Sequence, residues 1–317
     1  MSISPAQPIL LGDIGGTNAR FAILENGRIG GIASMLVKQY PDIGQAIDAF
    51  LSRIGRPAAE QAILAVAGPV ENNCGRLTNS TWHIDGAELC KQRGFKSVHV
   101  LNDFEATAWS LPAIPQTDLF VIGKGRPVRG APMIVLGPGT GFGIACYIPS
   151  PPRVITTEGG HATIPGTNKR EDVIIDWLRQ RYGHVSIERA ISGGGLENLY
   201  QALATLDQIS VPERSAMEIT KTGLEGSCSV CRAALDLFCA MLGTVAGNAA
   251  LSFGARGGVY IAGGIAPRIV EHLARSTFRE RFEAMGRFRD YMERIPTSVI
   301  VHVDATFVGM KAWAERA

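Results

Sequence analysis

Several short stretches of this 317-residue chain pair turn-forming glycines with carboxylates, amides or hydroxyls. Asp13-Ile14-Gly15-Gly16-Thr17-Asn18 stands between two apolar runs. Its adjacent glycines let backbone N–H groups approach an anion, Thr17 offers a hydroxyl, and Asp13 could hold a magnesium ion through water. A plain hairpin with structural glycines is the competing reading. In residues 137–143, Gly-Pro-Gly-Thr-Gly-Phe-Gly, glycine at every second position bares one backbone face, which suits either a second anion cradle or a relieved sheet edge. Asn102-Asp103 follows the apolar run 97–101. A carboxylate there can accept a proton from a hydroxyl attacking phosphorus, worth about 10²- to 10⁴-fold, or can cap the helix that follows. Glu158-Gly159-Gly160-His161, with Glu188 further on, offers the donors and acceptors that vicinal hydroxyls of a polyol require. Gly263-Gly264 would let a nucleoside lie against the backbone, or would simply turn a strand into a helix. Neither the G-x-x-x-x-G-K-[ST] loop nor the G-x-G-x-x-G fingerprint occurs.

The elements that must position these residues follow from periodicity. Apolar runs at 9–12, 20–24 and 32–37 predict an antiparallel meander, residues 42–54 a helix, and residues 62–67 a buried strand. Asp85 with Glu88 reads as a capping pair for a helix to Arg93. The strand 97–101 then delivers Asn102 and Asp103 to the carboxyl edge of an open sheet, where ligands bind in such folds. The second half repeats the pattern: strands at 133–136 and 142–148, a long helical region at 171–255, a strand at 258–262, a helix opened by Pro267, a strand at 298–303 and a helix at 305–316. A strand, Gly-Thr turn, strand unit occurs near residue 13 and again near residue 139, as expected of two similar α/β lobes facing each other.

Composition narrows the class. At 46% apolar and 19% charged, the chain can bury a large core, and its length suggests roughly two domains. A net charge of +2, without a long basic run, argues against nucleic acid as a partner. Residues 237–255 carry no charge and contain Gly243-x-x-x-Gly247, yet Thr244, Asn248 and Ser252 interrupt them and Arg232 and Arg256 flank both ends alike. A buried central helix is expected, not a membrane span. Six sparse cysteines point to a reducing compartment, hence a cytoplasmic location, and the N-terminus shows no signal peptide. The lone pair Cys228-x-x-Cys231 is expected to pack near a helix start and receives no role. Zinc at Glu158 and His161 is disfavoured, because no cysteine cluster adjoins them.

Taken together the residues resemble the bacterial glucokinases of the actin, sugar kinase and Hsp70-type ATPase superfamily. The resemblance rests on GDIGGTNARFA from Gly12, LTNSTW from Leu77, LNDFEATAWSLP from Leu101, VLGPGTGFG from Val135, EGGHATIP from Glu158, ERAISGGGLENLY from Glu188 and GGVYIAGGIAPR from Gly257. It implies a two-lobed α/β fold, actin-like and ribonuclease H-like, with the active site in an interlobe cleft. The small lobe would be residues 1–112 completed by 305–317, and the large lobe 113–304. The implied reaction moves the γ-phosphate of ATP to the 6-hydroxyl of D-glucose, with Asp103 as catalytic base. Asn79, Asn102, Asp103, Glu158, His161 and Glu188 would contact the sugar. Gly12, Asp13, Gly15, Gly16, Thr17 and Asn18 would form one phosphate loop with Mg2+ held by Asp13 through water; Gly139, Thr140 and Gly141 would form the second, and Gly263 and Gly264 the adenosine wall. A homodimer is the default for such folds. Two departures stand out: Gly194 replaces a proline usual in that turn, which would loosen it, and the segment DATFVGMKAWA matches the family's small-residue helix only loosely. Related ROK-type kinases place a cysteine-rich zinc motif after their G-H, whereas ATIPGTNKRED has no cysteine, which puts this chain with the zinc-free group.

Overall fold

The structure, a computed structural model, describes residues 7–55, 59–77 and 82–316. By contact it forms two units, Met1–Pro115 with Val154–Thr156 and His302–Ala317, and Gln116–Arg153 with Thr157–Val301.

The first unit opens with β1 (Ile9–Ile14), β2 (Asn18–Glu25), β3 (Arg28–Ile29) and β4 (Ala33–Leu36). Helix α1 (Ile43–Arg53) starts at Asp42, whose Oδ1 accepts from the Gln45 N–H at 2.8 Å. It leads to β5 (Gln61–Val66), a small sheet of β6 (Val70–Glu71), β7 (Cys74–Arg76) and β8 (His83–Asp85), then α2 (Gly86–Arg93), β9 (Ser97–Asn102) and α3 (Asp103–Ser110). The main sheet runs β3-β2-β1-β5-β9, with β4 also on β2; β1 is antiparallel to β2 but parallel to β5, and β5 is parallel to β9. Leu10, Leu11 and residues 62–66 are buried, which explains uninterrupted apolar runs where alternation would mark a half-exposed strand. The expected capping pair at Asp85 is one-sided: Asp85 accepts from Ala87 and Glu88 N–H, while the Glu88 carboxylate accepts from Gln92 Nε2 at 2.6 Å.

The second unit contains β10 (Leu119–Ile122), β11 (Met133–Pro138), β12 (Phe142–Pro149), β13 (Pro152–Thr157), α4 (Lys169–Tyr182), α5 (Ile187–Ala190), α6 (Gly193–Leu206), α7 (Ala216–Glu225), α8 (Ser229–Phe253), β14 (Gly258–Ile261), α9 (Val270–Arg275), α10 (Phe278–Glu283), α11 (Arg289–Glu293) and β15 (Thr297–Ile300). Its sheet runs β10-β15-β14-β11-β12-β13, with β11 antiparallel to β12 and parallel to β14. The first unit's arrangement of a hairpin beside a parallel third strand is thus repeated. The sequence reading missed β10, β13 and the small three-stranded sheet, and it ran the last strand three residues past Ile300.

Helix α8 is long and apolar enough to span a membrane, yet 78% of its most apolar window is buried within this unit. Its glycines have a packing reason. A Cβ on Gly243 would collide with the Phe278 carbonyl, and one on Gly247 would sit 2.8 Å from the Phe282 carbonyl, so the pair lets α10 lie directly on α8. Cys228 is the N-cap of α8, its Sγ accepting from the Cys231 N–H at 3.5 Å, as expected of a pair near a helix start. A buried ion pair ties α4 to α10: Arg281 Nη1 donates to Glu171 Oε1 at 2.6 Å and Nη2 to Oε2 at 3.1 Å, while Thr167 and Asn168 supply further donors.

The C-terminal helix α12 (Ala305–Ala314) returns to the first unit. There Gly309 faces α3 so closely that a Cβ would fall inside the Ala106 carbonyl. The loosely matching C-terminal segment therefore keeps its small residue where α3, which carries Asp103, needs it.

Candidate active site

In the first unit, register puts Ile14, Val66 and Asn102 side by side at the carboxyl ends of β1, β5 and β9. The Asp13 turn and the Asn102-Asp103 pair therefore share one sheet edge, two strands or roughly 10 Å apart. Asn102, not Asp103, is the N-cap of α3. Its Oδ1 accepts from the Phe104 and Glu105 N–H groups at 2.9 and 3.1 Å, and its Nδ2 donates to the Gly68 carbonyl at 3.0 Å. The capping role thus belongs to Asn102 and not to Asp103. Asp103 is the first helical residue, half-buried, with Oδ1 accepting from the Phe104 N–H at 2.9 Å.

Asp13 pairs directly across the hairpin with Arg20. Arg20 donates to Asp13 Oδ2 through Nε at 3.0 Å and also through Nη2, and its Nη1 reaches Asp304 Oδ1 at 3.0 Å. Burial pushes the Asp13 carboxyl up, and the Arg20 guanidinium pulls against that shift without cancelling it. Both Arg20 contacts fall on Oδ2, which leaves Oδ1 for a metal-bound water; the donor set fits a hard cation held through water. Sequence reasoning passed over Arg20, although a hairpin turning at residues 15–17 puts positions 13 and 20 opposite each other. The Gly15 N–H closes the turn on the Asn18 carbonyl at 2.9 Å, and Thr17 and Asn18 are exposed. Gly12 lies within β1, where a Cβ would sit 2.7 Å from Leu64 Cδ2, so packing accounts for it. Asn79 lies outside the described residues.

In the second unit, three Gly-rich turns meet. The Gly139 N–H donates to the Gly141 carbonyl at 2.8 Å, closing the β11–β12 turn, and the Gly193 N–H donates to the Gly139 carbonyl at 2.9 Å. Gly263 has φ +84°, and a Cβ there would collide with the Pro138 carbonyl; the next N–H but one, of Ile265, bonds that same carbonyl at 3.2 Å. Gly264 has open space around it. The start of α6, Ser192-Gly193-Gly194-Gly195, joins them, and its run of three glycines is the signal the sequence offers for it. Ser192 caps it, accepting from the Gly195 N–H at 3.0 Å, and the helix is regular through Gly194, so the turn is not loosened. The positive end of a 14-residue helix therefore sits against the second turn.

The polyol-type residues gather around Phe142. Glu188 Oε2 accepts from the Phe142 N–H at 3.1 Å, passing where a Cβ on Gly141 would stand. Gly160 is buried against the Phe142 carbonyl, which fixes the short turn Gly159–His161. Glu158 Oε2 and His161 Nε2 are 3.9 Å apart, each side chain 61% exposed and open to a ligand. The Ile187 N–H bonds the Ala162 carbonyl at 2.8 Å, which holds α5, and Glu188 with it, beside that turn.

A family model described as Glucokinase matches residues 10–317. The chain is 44% identical over 310 residues to a glucokinase of Paramagnetospirillum magneticum, covering 96% of this chain and 97% of the relative. It is 42% identical over 304 residues to a glucokinase of Nitrobacter hamburgensis, covering 95% of each. Among solved structures, a glucokinase from an Antarctic psychrotroph superposes with a TM-score of 0.88 at 33% identity, covering 98% of this chain and 99% of the other. With its motifs in place and its α/β topology matched along the whole length, the chain belongs to the glucokinase family, ATP-dependent hexose kinases built on the actin-like ATPase fold.

Proposed function

We propose that the chain phosphorylates D-glucose at its 6-hydroxyl. The Asp103 carboxylate takes the hydroxyl proton as O6 bonds to the γ-phosphorus, and the bond from that phosphorus to the β–γ bridging oxygen breaks to release ADP. Glu158, His161 and Glu188 hold the sugar hydroxyls; Asn102, with one amide hydrogen committed to Gly68, has a second for the sugar, and Asn79 is assigned to the sugar as well. Gly15, Gly16, Thr17 and Asn18 receive phosphate oxygens, and so do Gly139, Thr140 and Gly141. Gly263 and Gly264 leave room for the nucleoside. Mg2+ would be held through Asp13 and, when bound, neutralises phosphate charge. The remaining elements of the reading are a homodimer, a cytoplasmic setting, and lobes at 1–112 with 305–317 and at 113–304.

What supports this reading most is the shared sheet edge in the first unit: β1 ends in the Asp13 turn, and β9 ends in a cap that spares Asp103 the capping role. The test is a panel of sugars with ATP and magnesium, comprising glucose, mannose, fructose, N-acetylglucosamine and N-acetylmannosamine, with ADP release as the readout. Glucose should give the highest kcat/KM. A higher value for another sugar reassigns the substrate, and no phosphorylation of any sugar returns the chain to a sugar-sensing role.

A further inference from the structure

The strand pair β7–β8 presents a cluster that sugar phosphorylation does not use. Its register sets Cys74 opposite Asp85 and Arg76 opposite His83, while Gly75 and Ile84 between them are buried on the other face. Side chains alternate along a strand, so His83 and Asp85 share the outer face with Cys74. One donor atom from each, a thiol sulfur, an imidazole nitrogen and a carboxylate oxygen, lie within 4.8 Å of one another.

The frame under this cluster is fixed on both sides. Asn73, at φ 62°, accepts from the Val100 N–H at 2.8 Å and donates to the Val98 carbonyl at 2.9 Å, pinning the start of β7 to β9. Asp85 Oδ1 caps α2, accepting from Ala87 and Glu88 N–H at 2.8 and 3.0 Å, which sets the angle of its carboxylate. The Cys74 thiol donates to that carboxylate, and burial together with the nearby negative charge holds the thiol above its usual range. His83 is exposed, so its ring can turn.

We propose that Cys74, His83 and Asp85 form a binding site for a divalent transition-metal ion of the zinc and cobalt class, with water as fourth ligand. Sulfur, nitrogen and oxygen donors together suit such ions, whereas magnesium and calcium take oxygen alone. Tetrahedral bonds of about 2.0–2.3 Å place ligand atoms roughly 3.4–3.6 Å apart, so the cluster must close by about 1 Å, a movement His83 can supply. On binding, the thiol proton leaves to solvent as the sulfur–metal bond forms. The Cys74 thiolate and Asp85 carboxylate then balance the ion's two charges, and neutral His83 contributes a lone pair.

The test titrates the metal-free full chain with Co2+ and follows the sulfur-to-cobalt charge-transfer band. The band should saturate at one equivalent, collapse on adding Zn2+, persist in a Cys228→Ser/Cys231→Ser variant and vanish in Cys74→Ser. Serine keeps a donor for Asp85, so Cys74→Ser should retain the wild-type thermal midpoint. His83→Ala should weaken Zn2+ binding, measured against a chromophoric chelator, by at least about tenfold, the loss that an outer-sphere partner alone already causes. A wild-type protein that gives no band, a band that survives Cys74→Ser, or Zn2+ affinity unchanged in His83→Ala would each overturn the site.

Discussion

The β1–β2 and β11–β12 hairpins share a backbone plan, an antiparallel pair joined by a Gly-Thr turn beside a parallel third strand, yet they are held by opposite means. Charge fixes the first: Arg20 links Asp13 to Asp304. The second has no charge in its turn and is fixed by close backbone approach, with Gly137 against Ala262, Gly263 against Pro138 and Gly193 bonded to Gly139. Its carboxylate, Glu188, comes from α5. One plan can therefore meet an anion with an ordered side chain or with bare peptide groups, and the two solutions tolerate change differently.

Buried charge gives the sharpest contrast between the units. Glu171 and Arg281 have side chains 3% and 16% exposed, against 30% for Arg20 and 19% for Asp13. Glu171→Ala strands a buried guanidinium and should lower unfolding free energy by about 3–5 kcal/mol in urea titrations. The same pair predicts the acid limb. Burial alone would raise the Glu171 carboxyl, but hydrogen bonds from Arg281 and Thr167 outweigh it and hold it below the ordinary 4.5. Its contribution is then complete above pH 4.5 and is lost as pH falls through the lower folded value, so Glu171→Gln should show a shallower drop in Tm on acidification.

Next in size come the glycines. Gly263→Ala meets both a left-handed φ and the Pro138 carbonyl, and should cost about 3 kcal/mol, whereas Gly15→Ala, with its Cβ 3.3 Å from the Asn18 carbonyl, should cost about 1 kcal/mol or less. Equal losses at the two positions would erase the distinction between the hairpins. Arg20→Met should cost about 1 kcal/mol or less in stability, since its pairs are partly solvated, while lowering kcat by releasing Asp13. A kcat unchanged by Arg20→Met would mean that Asp13 needs no such hold. Smallest is a gain: Gly194 lies in a regular helix with open space around it, so Gly194→Ala should stabilise by about 0.4–1 kcal/mol in thermal unfolding.

Much of this was legible in the residues. Uninterrupted apolar runs marked the central strands, and the Gly-Thr turns marked both hairpins, because burial and turn geometry leave local signatures. Long-range partners left fainter traces. Arg20 and Asp304 meet only when the C-terminal segment returns to the first unit, and the meeting of Gly137 with Ala262 joins positions 125 residues apart. The cap on α3 falls at Asn102, one residue before the Asp103 cap that the sequence also allows, since Asn and Asp cap equally well and adjacent candidates cannot be separated by type. Short strands such as β6, β7 and β8 were missed because two or three residues carry no measurable alternation.

The most direct test of the central claim is Asp103→Asn, which keeps the size of the side chain and removes its basicity. Glucose binding, followed by calorimetry, should stay close to wild type while kcat falls by about 10²- to 10⁴-fold. Turnover equal to wild type would contradict the assignment of Asp103 as the base.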